Sequence, residues 1–236
     1  MHTDPVDNNG TDIPAVIETM CDPERNKIKF TQGKCDAKKL NYYYNLVDAQ
    51  YMMTDNEGWG LSLTEGLMAG NMIIAPVQGG MQDQMRFEDE KGDWINFTSE
   101  WPTNSNGKYK KCGEWAIPMF GKTRSLKGSP PTPYIYSTQV DIEDAALALL
   151  KCYNLGRDEI KRRGLVGREW LKSDEARMTA SGMGENFIDQ LNVLFDKWEP
   201  IEKYVIEKVE DKKTPYNPNA VQYTADFKQK VKEVLA

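Results

Sequence analysis

The stretch from 49 to 80, AQYMMTDNEGWGLSLTEGLMAGNMIIAPVQGG, constrains the chain more than any other part of it. Residues 49–53 read as a strand. The loop TDNEGWG follows, then a helix from about Ser62 to Ala69 that Gly70 and Asn71 terminate. The next four residues, MIIA at 72–75, carry no polar position, as expected of a strand buried on both faces. Pro76 and the Gly79–Gly80 pair close it. Strand, helix and strand joined by turns this short predict parallel pairing in an α/β sheet. In such sheets ligands bind beyond the carboxyl ends of the strands. The loops 54–60 and 76–80 both occupy such ends and should be neighbours.

The flanking segments extend this rhythm. DPVDNNG at 4–10 is turn chemistry. Thr11 or Asp12 can cap a helix to about Met20, with Ile13, Val16, Ile17 and Met20 on one face. KIKFT at 27–31 alternates and reads as a short strand stopped by Gly33. Asp36 caps a second helix bearing Leu40, Tyr43, Tyr44 and Val47. From about 97 to 137 the periodicity fails, and the segment, including KGSPPTP at 127–133, reads as an irregular excursion. Order returns with an amphipathic helix at 141–153 that carries acids in its first turn, and helices at about 157–171 and 175–197 follow. These readings give a doubly wound, Rossmann-like parallel sheet over residues 1–200, with 201–236 as a charged C-terminal arm or tail.

Composition narrows the function classes. The 236 residues carry 30 basic and 36 acidic side chains, a formal net charge of −6. That balance argues against a nucleic-acid backbone binder. No apolar run reaches the length of a membrane span. Cys21, Cys35, Cys112 and Cys152 form no CxxC pair, and His2 is the lone histidine, so neither a Cys/His metal site nor a disulfide framework is expected. The thiols read as reduced and partly buried, which fits a cytoplasmic protein. The N-terminus lacks the apolar core of a signal peptide. It opens in turn-forming residues, so an upstream strand, and with it a further domain, is expected.

The chemistry concentrates between Asn56 and Gly80. Glu57 is a carboxylate at a strand end. Gly58 and Gly60 allow close backbone approach to a ligand and expose amide groups. A helix N-terminus at about Leu61–Ser62 favours an anion, and Glu65 lies one turn further on. Such a set suits a ligand bearing both hydroxyls and phosphates. On spacing alone it suits solvated acids and ordinary turn glycines equally well. Elsewhere, Trp94, Trp101 and Trp115 can anchor the excursion or line a sugar site, the three tyrosines 42–44 read as packing aromatics, and Lys161, Arg162 and Arg163 as a solvated helix face.

This segment resembles the hallmark of retaining GT-B glycosyltransferases of the family-4 type (glycosyl transferases group 1). Two glutamates separated by seven residues enclose the pattern E-G-[FW]-G-L, and a helix, a strand and a Gly-Gly turn follow. Glu57 and Glu65, Gly58-Trp59-Gly60-Leu61, and Gly79–Gly80 match it. The likeness extends more loosely over residues 2–197, and HTDPVDNNGTD, NEGWGLSLTE and GGMQDQMRF resemble a subgroup met in large DNA viruses, phages and environmental sequences.

The resemblance implies the C-terminal, donor-binding half of a GT-B fold that transfers a hexose from a nucleotide-diphosphate sugar with retention and without a metal or other cofactor. It implies that Glu57 holds a hydroxyl of the transferred sugar, and that Gly58, Trp59, Gly60, Leu61 and Ser62 present amides to sugar and diphosphate. It further implies that Glu65 binds the ribose, that Thr31, Gln32, Gly33 and Lys34 meet the base, and that Gln78, Gly79 and Gly80 border the donor. The family's acceptor domain precedes this half, so the chain would need that partner for transfer. The acceptor is unknown. The family also carries an Arg and a Lys after the first strand, whereas this chain has Thr3, Asp4 and Asn9 there and no basic residue before Arg25. Arg86 or a lysine between 108 and 127 would then face the diphosphate. A non-catalytic nucleotide-sugar-binding or scaffold module, and a GT-B sugar-nucleotide epimerase, are the alternatives.

Overall fold

A computed structural model describes residues 1–6, 10–22, 24, 27–55, 57–95 and 107–199. In chain order the elements are α1 (Ile13–Met20), α2 (Ala37–Leu46), β1 (Ala49–Tyr51), α3 (Leu61–Met68), β2 (Met72–Pro76) and α4 (Gly80–Asp83). There follow β3 (Ala116–Met119), β4 (Thr123–Ser129), β5 (Thr132–Gln139), α5 (Ile142–Leu155), α6 (Arg157–Lys172) and α7 (Ala180–Lys197). Contacts divide the chain at Val193/Leu194. Of the second unit the described part is Leu194–Glu199, the end of α7 and the two residues after it.

The first unit is built on a parallel sheet in the order β1-β2-β3. Ala49 pairs with Met72 and Ile73 with Ala116, so β2 is the central strand. All five of its residues are buried, and its alternation feeds two cores. Ile73 and Ala75 pack with Leu63 and Leu67 of α3, Met81 of α4, and Trp170 and Leu171 of α6. Met72 and Ile74 pack on the other face with Ile117 and Met119 of β3, Ala145, Ala148 and Cys152 of α5, and Ile160 of α6. The fold is therefore α/β, a small parallel sheet with helices on both faces. Each fully buried aliphatic chain on β2 contributes about 1.5–3 kcal/mol.

Local signals placed most helices. The Asp12 carboxylate accepts from Ala15 N at 3.0 Å and that of Asp36 from Lys39 N at 2.7 Å, so both capping expectations hold. Gly70, at φ +87°, follows the Ala69 cap of α3.

Four expectations need correction. Residues 27–30 form no strand, and only Thr31 pairs, through a single parallel bridge to His2. The alternation in KIKFT is real, but among the described residues no neighbouring strand receives it. The segment from 97 to 137 is not wholly irregular. It supplies β3, the third parallel strand, and the antiparallel hairpin β4–β5, while 96–106, with Trp101, lie outside the described residues. α7 begins at Ala180 rather than near 175, after a turn in which Arg177 takes φ +49°. β1 stops at Tyr51, two residues early. The proposed arm at 201–236 also falls outside the described residues. All four cysteines are free thiols, and among the described residues no helix is long and apolar enough to cross a membrane.

Candidate functional site

Parallel pairing of β1 and β2 brings the loops after them together, as expected. Gly80 N donates to Gly58 O at 3.1 Å, and the Gln78 amide donates to Thr54 O at 2.7 Å. The approach is so close that a Cβ on Gly80 would lie 2.6 Å from Gly58 O and 2.7 Å from Trp59 Cα. Only glycine fits there.

A closed ring of polar contacts fixes the rest of the loop. The Trp59 indole N–H donates to Thr64 Oγ1 at 2.9 Å, and Thr64 Oγ1 donates to Gln84 Oε1 at 2.9 Å. Gln84 Nε2 returns to Trp59 O at 2.6 Å and Gly60 O at 3.3 Å. Gln84 is fully buried, so each of these bonds is made away from competing water. Gly60 caps α3 in the left-handed region at φ +83°, a conformation costly to residues with a side chain.

Glu57 lies just before this locked turn. It is half-buried, and its Cγ sits 3.4 Å from where a Cβ on Gly60 would stand, so the side chain folds over that glycine. Among the described residues its carboxylate has no hydrogen-bond or ionic partner. The amides of Leu61 and Ser62, in the first turn of α3, have no acceptor within the helix. An acceptor of hydroxyls thus stands next to donors suited to an anion.

Glu65 is exposed but held. The Tyr44 hydroxyl, from α2, donates to its Oε2 at 2.7 Å. Burial first, and then this bond to the carboxylate, push the Tyr44 phenol well above its ordinary range. Asn71 Nδ2 donates to Tyr44 O at 2.8 Å and ties the same residue to the start of β2. Tyr44 had read as a packing aromatic. The α2 stripe placed it on the inner face, but nothing in the sequence named Glu65 as its acceptor.

The remaining expected positions divide. Gln78, Gly79 and Gly80 belong to the turn packed on Gly58. Gln78 is buried, and its Oε1 has no partner among the described residues. Of Thr31–Lys34, Thr31 engages the N-terminal residues. Thr31 N donates to Met1 O at 2.9 Å, Thr3 N to Thr31 O at 3.1 Å, and His2 Nδ1 meets Thr31 Oγ1 at 2.9 Å. Gln32, Gly33 and Lys34 are exposed, with Gly33 at φ +78°. Helix α2 carries the chain from this corner to Tyr44 and thereby to Glu65.

Arg86 does not stand free for a phosphate. It is paired with Glu175 at 2.7 Å and Glu88 at 2.6 Å. Lys127, from β4, bonds to Asp55 in the loop before Glu57, and this contact, before any other, holds the Asp55 carboxyl below the usual range. Trp94 and Trp115 both pack on Trp170, at ring-centroid distances of 5.5 and 4.8 Å, and Trp115 and Trp170 also line an open groove beside α6. Arg162 pairs with Glu114 and Glu159, and Arg163 with Glu159.

One titratable group escaped notice in the sequence. Asp83, at the end of α4, is pushed up to about 6 by burial, and its Oδ1 has no partner among the described residues. No family model matches the chain, and no curated protein matches it significantly.

Proposed function

We propose that this chain is the nucleotide-sugar-binding half of a retaining, family-4-like GT-B glycosyltransferase, with a doubly wound, Rossmann-like domain. The carrying observation is the unpartnered, half-buried Glu57 carboxylate beside the free first-turn amides of α3. In this reading Glu57 accepts a hydroxyl of the transferred sugar and orients it. The amides of Leu61 and Ser62 receive the diphosphate and stabilise its departure. Glu65 offers the ribose its second oxygen, the first being taken by Tyr44. Thr31–Lys34 would meet the base, and Gln78–Gly80 would wall the donor. A separate domain would supply the acceptor wall, and transfer would need no metal.

A second reading, a nucleotide-sugar-binding module without transfer, draws on one observation: Arg86 and Lys127 are both engaged in ion pairs. Neither is free to offset the charge of a leaving diphosphate.

Calorimetry with UDP-, GDP- and ADP-sugars tests the proposal. Saturable binding of one of them is expected. Glu57→Ala should weaken it about tenfold or more while weakening the bare nucleoside diphosphate far less. A folded sample that binds none of the three sinks the donor site. Equal losses for sugar nucleotide and bare nucleotide would remove Glu57 from the sugar. Turnover of the bound donor onto an alcohol, measured with an acceptor domain supplied, separates the first reading from the second.

A further inference from the structure

A cavity of about 700 Å³ opens beyond the carboxyl end of β3, between the β4–β5 hairpin and α5. The register explains its lining. Arg124 of β4 is paired with Thr138 of β5, so the two side chains share one face of the hairpin. Lys122, two residues before Arg124, belongs to the same face. Asp144, Leu147, Ala148 and Lys151 recur at helical spacing along α5 and form the opposite wall. The floor comes from Ile117 and Met119 of β3.

The charge is one-sided. Asp144 is the single acid in the lining, and Lys122 already neutralises it at 2.7 Å. Lys110 lies 3.9 Å from the centre of the Phe120 ring. Arg124 and Lys151 have no ion-pair partner among the described residues. Three cations therefore face the cavity without a compensating carboxylate.

One further group points the same way. Thr138 is only 7% exposed, lines the cavity, and its Oγ1 is buried with no partner among the described residues. A buried hydroxyl left unbonded costs free energy that a ligand oxygen would recover.

We propose that this cavity binds a small organic phosphate. Its phosphate would lie among Arg124, Lys151 and Thr138 Oγ1, and its apolar part on Ile117, Met119 and Leu147. The cavity is lined by the α5 face of the sheet, whereas Leu63 and Met81, behind the Glu57 loop, pack on the other face. The site is independent of the donor reading.

Calorimetry on the full chain with phenyl phosphate and inorganic phosphate tests it. Saturable one-to-one binding is expected, tighter for phenyl phosphate because only it covers the apolar floor. The double variant Arg124→Ala, Lys151→Ala should weaken both about tenfold or more, since each charged bond lost is worth at least that factor. The exposed charge reversal Lys151→Glu gives the same reading should the double variant not fold. Thr138→Val should weaken binding and Thr138→Ser retain it, while Glu57→Ala should leave it unchanged. No saturable binding of phenyl phosphate, undiminished affinity in the Arg124 and Lys151 variants, or a loss in Glu57→Ala equal to theirs overturns the proposal.

Discussion

The two ends of the sheet's mouth are built by opposite means. After β1 and β2 the loops lock onto each other: Gly80 rests on Gly58, and Gln84 ties the carbonyls of Trp59 and Gly60 through the ring that includes Thr64. After β3 the chain leaves as a hairpin with exposed strands, and a cavity opens where packing would otherwise be. The locked side presents a fixed carboxylate and fixed amides. The open side presents long cationic side chains over an apolar floor. Precise placement on one side comes from backbone contact, and on the other from side chains, charged and apolar.

The largest expected effect lies on the locked side. Gly80→Ala puts a methyl group 2.6 Å from a carbonyl oxygen and against the Trp59 backbone, neither of which is a flexible chain end. It should cost about 3 kcal/mol of stability by denaturant unfolding and abolish sugar-nucleotide binding. A cost below about 1 kcal/mol would mean that the two loops are not rigidly joined.

A smaller, pH-dependent effect comes next. Burial raises the Asp83 carboxyl from 3.8 to about 6, so the folded chain holds this proton more tightly than the unfolded chain. Its contribution favours folding below about pH 4 and is lost as pH rises to about 6. Because Asp83 is only partly buried, the loss should be about 1–2 kcal/mol. Asp83→Asn, which carries no proton to lose, should flatten the stability profile across that window. An unchanged profile would leave Asp83 solvated.

The link between the two sides should matter least. Lys127 and Asp55 are both about half exposed, each at 47%, so Lys127→Ala should cost no more than about 1 kcal/mol. A larger loss would mean that the hairpin braces the Glu57 loop, and the contrast between the sides would weaken.

The locked side was also the legible one. β2 is apolar at every position because both faces are buried, and α3 is bounded by glycines that its turn geometry requires. β3 escaped because it has four residues and one of them, Pro118, removes a donor, which an edge strand tolerates. The hairpin escaped because most of its positions are exposed on both faces and no apolar alternation develops. KIKFT misled for the converse reason, an alternating pattern without a partner strand. In the candidate site, residue types and spacing named Glu57, Glu65 and the glycines. Tyr44, Gln84 and Asp83 needed the fold, since their roles rest on contacts 20 or more residues distant or on burial.

The Gln84 tie has a consequence for how such a chain can change length. It closes a span of 25 residues between Trp59 and Gln84, which holds α3, β2, α4 and the short turns that join them. An insertion or deletion anywhere inside would shift the amide off its two carbonyls. Length variation among related chains should therefore avoid this span and collect in the hairpin that follows β3.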